Sequence, residues 1–486
     1  MVKVAQVDLR IEKNRKYLQK ELRIDKNFDI LERHVFYAGT DMSFYMVDGF
    51  VKDDALTRIQ QTLTRIEPEQ LKDVDLFTQL LRTYIPYVEI DTSDDFDDII
   101  DQILSGPVAL FIDGIDRVIL LDVREYPVRS LDEPETEQVV RGAKDGFVET
   151  IVFNTALMRR RIRDRHLIME YVSVGKRSKT DICISYMEDI ANEQMVQKLK
   201  TRLEEIVVDG LPMADKTIEE YLFKHYWNAY PLVRYTERPD TAATHLLEGH
   251  ILLFVDGSPS VIIAPVTFWH HLQHAEEYRQ KPMIGTMHRF VRHIAVFASL
   301  FLLPIWFLFA SKGVEPPHYL QYIGAQESGQ VPLLAQFMIA EIGIEMLRMA
   351  AIHTPSSLAT ALGLVAAILI GEIAIQVGLF SSEVVLYLAV VAIGTFATPS
   401  YEFSLANRLW RVIFLLTTAW WGLLGFFGAV VVWVLHLIRL RPLGVPYVWP
   451  FLPFSYLSLG DIFKRKPIPL QERRPAALRL KDRKKT

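Results

Sequence analysis

GPVALFIDGIDRVI, residues 106–119, returns as GHILLFVDGSPSVI at residues 249–262, an offset of 143 without a gap. Gly106/Gly249, Leu110/Leu253, Phe111/Phe254, Asp113/Asp256, Gly114/Gly257, Val118/Val261 and Ile119/Ile262 are identical. Each stretch reads as a β-rich run, an Asp-Gly turn and a second β-rich run. Asp-Gly is a strong hairpin signal because glycine adopts positive φ without strain. Each hairpin follows an apolar helical pattern that ends at glycine, DDIIDQILSG and TAATHLLEG, as suits a helix C-cap.

Outward from the hairpins, a fainter match runs at an offset of 140. Residues 41–66, DMSFYMVDGFVKDDALTRIQQTLTRI, align with 181–206, DICISYMEDIANEQMVQKLKTRLEEI. Both read as a strand, a connector and an amphipathic helix, with Leu63/Leu203 and Ile66/Ile206 on the apolar face. The near-equal offsets predict two related α/β subdomains, 28–130 and 131–290, after an N-terminal arm of residues 1–27. The element order suggests mixed sheets covered by helices. Between the hairpins, Arg159, Arg160, Arg161 and Arg163 form a basic cluster. It reads either as a solvated helix face or as a contact for lipid phosphates or a partner.

Composition separates the rest of the chain. Of 486 residues half are hydrophobic and 23% are charged, but only 11 charged residues fall between His293 and Leu437. Residues 462–486 carry ten Lys/Arg against Glu472 and Asp482. The fold class expected is therefore α/β plus membrane α-helical. Two α/β subdomains precede a multi-span helical domain at 291–455 and a basic tail at 456–486. Four crossings are predicted, at about 291–310, 358–380, 384–400 and 410–438, since about 20 apolar residues span a bilayer. The start, MVKVAQVDLRIEKNRK, lacks the apolar core of a signal peptide. Lys/Arg before the first span and after the last place both flanks in the cytoplasm, which requires an even number of crossings.

Candidate functional residues are the charges inside apolar sequence. In 331–352, Glu341, Glu345 and Arg348 share one helical face. That stripe suits an amphipathic helix at the interface or between spans, or the wall of an aqueous pathway. Glu372, four residues before Gln376, sits inside the second predicted span. It is read either as a carboxyl paired with Arg408 or Arg411, or protonated, that locks the bundle, or as an ion-coordinating or gating group. Gly371 and Gly378 offer close helix approach. Arg408 and Arg411 are also candidates for partner or lipid contact.

Other chemistry is not signalled. There is no phosphate-binding glycine loop or nucleophile elbow. His270 and His274 lack the surrounding order of a metal-binding helix, so no metal site is expected. The run DTSDDFDD at 91–98 is expected to cap the helix before Gly106. One cysteine, Cys183, excludes a disulfide framework, and a net charge of −5 gives no case for nucleic-acid binding. No enzyme activity and no cofactor are expected.

Six ordered phrases together resemble the GerA family of spore germination proteins. They are EPETEQVVRGAKDGFVET with NTALMRRRIRD (133–164), ERPD (237–240), LLEGHILLFVDGSPSVIIAP (246–265), IGEIAIQVGL (370–379), ATPSYEFSLANRLWR (397–411) and GVPYVWPFLP (444–453). FYMVDGFVKDDALTRI near the start suggests a sporulation branch of that family. The resemblance implies a spore inner-membrane protein with a cytoplasmic two-part N-terminal domain. It implies a homo-oligomer around a pathway for monovalent cations, working with other spore inner-membrane germination proteins in the lipid bilayer. A non-conducting scaffold or assembly factor and a nutrient-sensing receptor A subunit are the alternatives. Where the family often carries E-x-L-R-E-A, this chain has Glu345-Met-Leu-Arg348-Met-Ala, which lacks the second glutamate.

Overall fold

The computed structural model describes residues 5–67, 76–87, 89–126, 137–311, 330–353, 363 and 372–485. The chain forms two compact units. The first comprises Met1–Tyr226, Val233–Pro265 and Ile468–Thr486; the second comprises Trp227–Leu232 and Val266–Pro467.

The first unit holds two five-stranded sheets. β1 (Ile30–Tyr37), β2 (Thr40–Val47), β3 (Ile90–Ser93), β4 (Val108–Ile112) and β5 (Val118–Leu121) lie in the order β1-β2-β4-β5-β3. β6 (Leu167–Val174), β7 (Thr180–Met187), β8 (Arg234–Thr236), β9 (Ile251–Val255) and β10 (Val261–Ala264) lie in the order β6-β7-β9-β10-β8. The two α/β copies therefore share one topology.

The sheets are antiparallel rather than mixed, with every neighbouring pair of named strands antiparallel. The reason lies in the hairpin. β3 and β4 are joined through the helix Phe96–Ser105, a connection that leaves two strands parallel. The return strand β5 then inserts between them, so the parallel strands never touch.

Period-two alternation places the core on both faces of the first sheet. Met42, Phe44 and Met46 face one cluster with Ile59 and Leu63 of the helix Asp53–Thr64. Tyr45 faces the other, with Leu18 of the helix Ile11–Glu21 and Ile99 and Ile103 of the helix Phe96–Ser105. As read from the acidic run, Asp95 caps that last helix by accepting from Asp97 N at 2.8 Å.

The first copy begins inside the arm expected at 1–27. Asp113 of the first hairpin accepts from Ile11 N at 2.9 Å, and Gly114 N donates to Leu9 O at 2.7 Å. Asp256 of the second hairpin accepts from Ile151 N at 3.1 Å, and Gly257 N donates to Glu149 O at 2.8 Å. Each turn aspartate thus holds the first turn of a helix, Ile11–Glu21 or Ile151–Arg161. Asn14 accepts from Asp8 N and donates to Asp8 O; Asn154 does the same with Val148. The N-terminal helix is therefore the first element of the first copy.

In the second unit the helix Pro282–Ala310 packs with Leu333–His353, Ser382–Phe396 and the helical run Tyr401–Arg439. Pro282–Ala310 and Tyr401–Arg439 are long and apolar enough to cross a membrane; Ser382–Phe396 is shorter. The predicted span 358–380 lies mostly outside the described residues.

The predicted span 410–438 is not one rod. Gly422 has φ 57° and ψ −136° inside Tyr401–Arg439. The rings of Trp410 and His436 lie 5.7 Å apart, and those of Phe414 and Trp433 lie 6.3 Å apart. A continuous helix would separate residues 410 and 436 by about 39 Å. The run is a helical hairpin whose arms, 401–421 and 423–439, are about 31 and 25 Å long. A Cβ on Gly425 would collide with the Thr417 carbonyl, so the arms touch where a side chain is missing. A close helix approach also occurs at Gly394, against the carbonyl of Ala295. Gly378 instead makes a turn at φ 75°, and Gly371 lies outside the described residues.

Candidate functional site

The stripe on Leu333–His353 meets the first arm of the hairpin. Glu341 Oε1 accepts from Arg411 Nε at 2.7 Å. Glu341 Oε2 accepts from Arg411 Nη2 at 3.0 Å and from Arg408 Nε at 2.9 Å. Arg408 also pairs with Glu345 and donates to the Glu341 carbonyl. Glu345 in turn holds Arg348, whose Nε donates to it at 3.1 Å, and Arg348 also binds the Tyr401 hydroxyl. Arg411 Nη1 donates to the Ser299 carbonyl at 2.6 Å on the helix Pro282–Ala310.

Local spacing explains the match. Glutamates four apart on one helix present two carboxylates on one face. Arginines three apart on the facing helix present two guanidiniums. The planar fork of Arg411 takes Glu341 bidentately, the strong form of this pairing. Glu341 and Arg411 are both 3% exposed, so neither charge is hydrated. Burial in this setting is tolerable only with such full pairing, and deleting one partner costs about 3–5 kcal/mol. The outward face of the same helix carries exposed Ile339, Ile342 and Met346. Glu341 is therefore turned into protein, while Glu345 and Arg348 further along the stripe are partly exposed.

Arg411 was a candidate for lipid or partner contact, and its guanidinium is instead enclosed by Glu341 and Ser299. Arg408 is likewise held by Glu341 and Glu345. Arg408 and Arg411, the expected partners of Glu372, are thus taken up by other acids. Glu372 is exposed, and its carboxylate accepts from Gln376 Nε2 at 3.3 Å.

The basic cluster in the first unit divides similarly. Arg159 is not on a solvated face: it is fully buried and pairs bidentately with Asp29 at 2.8 and 3.1 Å. It also donates to the Leu167 and Asp164 carbonyls. It serves the junction of the copies, where Asn27 also accepts from Met169 N at 2.8 Å. Arg160 is exposed and lies over the Tyr126 ring at 4.7 Å, Arg161 pairs with Asp145 at 2.6 Å, and Arg163 is exposed.

Sequence reasoning missed a second polar group in the helical unit. Tyr230 donates to Asn407 Oδ1 at 2.9 Å and accepts from Trp433 Nε1 at 2.8 Å. Asn228 Oδ1 and His436 Nε2 lie 2.9 Å apart. A short piece from the α/β-rich part of the sequence thus clamps the two hairpin arms. The only signal was an aromatic-polar run, YWNAY, inside otherwise ordinary sequence. His270 forms a capping box with Thr267. Among the described residues no group of three His, Cys, Asp or Glu is placed to hold a metal ion.

Two sheets of one topology, followed by apolar helices braced by buried ion pairs, define a chain with an α/β unit and a membrane-type helical unit. Residues 16–477 match the family described as Bacillus/Clostridium GerA spore germination protein, and the chain belongs to that family. It is 43% identical over 471 residues to Stage V sporulation protein AF of Bacillus subtilis (strain 168), covering 97% of this chain and 95% of that protein. It is 31% identical over 482 residues to Spore germination protein GerLA of Bacillus cereus, covering 98% and 97% respectively. Among solved structures, it is similar to the N-terminal domain of the A subunit of the Bacillus megaterium spore germinant receptor GerK3. That similarity has a TM-score of 0.43 and 25% identity, covering 55% of this chain and 98% of that one.

Proposed function

We propose that this chain is a multi-pass protein of the spore inner membrane, an oligomeric subunit of an ion-conducting assembly that contributes to ion release during germination. The observation that carries the reading is Glu372. It is an exposed carboxylate in an apolar stretch, beside Gln376, while Glu341 and Glu345 are bound by arginines. Such a group in a membrane segment marks a pathway for ions when it faces water. Both ends of the helical unit join the same α/β unit, which supports an even number of crossings with the flanks in the cytoplasm.

Cation efflux from liposomes separates the acids by role. Glu372→Gln is expected to lower efflux several-fold at unchanged protein content. Glu341→Gln is expected to lower the yield of folded protein, because Arg411 then loses its counter-charge. Efflux unaltered by Glu372→Gln would remove this carboxylate from the pathway.

A non-conducting scaffold is the second reading. The sealing of Glu341 inside the protein and the arginine pairing of Glu345 favour it, since both carboxylates are already taken up by guanidiniums. It expects partner capture through the α/β unit and no current from the reconstituted protein.

A further inference from the structure

In the first copy the chain leaving β5 folds back at once over its own core. Lys52 N donates to Val123 O at 2.9 Å, and Glu125 N donates to Phe50 O at 2.7 Å. The Arg124 side chain lies over Gly106, where an added Cβ would collide with it. Tyr126 binds the Ser105 carbonyl.

In the second copy the chain leaving β10 makes no such return. By the repeat offsets, Ile190, Asn192 and Gly249 stand where Phe50, Lys52 and Gly106 stand in the first. Their partners come from the end of the chain. Lys481 N donates to Ile190 O at 3.0 Å, and Asn192 Nδ2 donates to Arg479 O at 3.1 Å. Leu480 lies over Gly249, where an added Cβ would collide with it. Leu478 and Leu480 are buried. Arg474 Nε donates to Leu247 O at 2.9 Å, and Lys485 pairs with Glu248 at 3.0 Å. Lys481 thus takes the place of Glu125, and Leu480 that of Arg124.

We infer that residues 473–485 are a tethered ligand for a groove on the second copy, formed by Ile190, Asn192 and residues 247–249. The groove takes a basic segment whose two leucines flank a left-handed residue, Arg479, and its occupant is the tail of the same chain. Independently of any conduction, the two copies differ in how that occupant arrives. In the first it follows β5 directly. In the second it is reached only after residues 266–467. Its polar contacts lie near the surface, where charge pairs add little, and the two leucines supply the apolar anchor.

Hydrogen exchange on the full chain in detergent tests this. Leu478→Asp/Leu480→Asp is expected to abolish protection of the Lys481 amide and lower it at 188–193 and 246–250. The matching stretches of the first copy, 48–53 and 103–107, should be unaffected. A chain ending at Pro467 should regain the lost protection when a synthetic peptide of residues 471–485 is added, and not with the same peptide carrying both aspartates. Unchanged protection in the double variant, or equal rescue by both peptides, would overturn the inference. Protection of tail-less chains on mixing with intact ones would assign the tail to a neighbouring copy and overturn docking within one chain.

Discussion

Where the first α/β copy has Gln102 and Pro107, the second has His245 and His250. Where the first has Gln19 on its opening helix, the second has Arg159. Strand order and hairpin contacts are the same in both copies. The comparison teaches that the duplicated framework is set by a few backbone-binding side chains, Asp113/Asp256 and Asn14/Asn154. The second copy buries Arg159, His245 and His250 where the first has Gln19, Gln102 and Pro107, and the first buries Asp29 where the second has Met169. The two buried histidines are the groups expected to set the copies apart in acid.

The largest effect expected is at the junction. Arg159→Ala leaves the carboxylate of Asp29 buried without its guanidinium, at a cost of about 3–5 kcal/mol. Hydrogen exchange of the β7 and β9 amides under mild denaturant measures it, and a loss below about 1 kcal/mol would show that water or another cation replaces the arginine.

Acid comes next. Burial pushes His250 down to about 4, despite its 2.8 Å contact with the Pro265 carbonyl, and burial likewise pushes His245 well down. An unfolded histidine takes up its proton near pH 6.5. Between about pH 6.5 and 4 the unfolded chain therefore binds more protons than the folded one. Stability is present above that window and falls as pH drops through it, by about 3 kcal/mol for His250 alone. Exchange rates corrected for intrinsic chemistry should show β9 losing protection at pH 5 while β4 keeps it. Equal losses in both copies would remove the histidines as the cause.

The smallest effect tests sameness. Asn14→Ala and Asn154→Ala each remove two bonds to the backbone, at about 1–2 kcal/mol apiece. Matching losses, read at β4 and β9 respectively, would sharpen the equivalence of the two helices, whereas a loss confined to Asn154 would break it.

Much of this fold is legible in the sequence, and the parts that are not have identifiable causes. The hairpins announce themselves because Asp-Gly is required twice over, for the turn and for holding a helix start. The opening helices do not. IEKNRKYLQKE and IVFNTALMRRR share only Ile11/Ile151 and Asn14/Asn154. Buried Ala156, Leu157, Met158 and Arg159 on the second helix pushed its composition away from the first. In the helical unit, hydropathy locates greasy segments but is blind to direction. The reversal at Gly422 sits in an uninterrupted apolar run, WWGLLGFFG, whose glycines were its only sign. The candidate acids were visible as charges out of place. Their pairing was not, because it depends on Arg408 and Arg411 more than 60 positions away.

The return of residues 478–481 to Ile190 and Gly249 bears on how much sequence the second copy needs. Its closing segment lies beyond residues 266–467, which belong to the other unit. A gene fragment stopping at Pro265 would encode one whole copy and one without its closing segment.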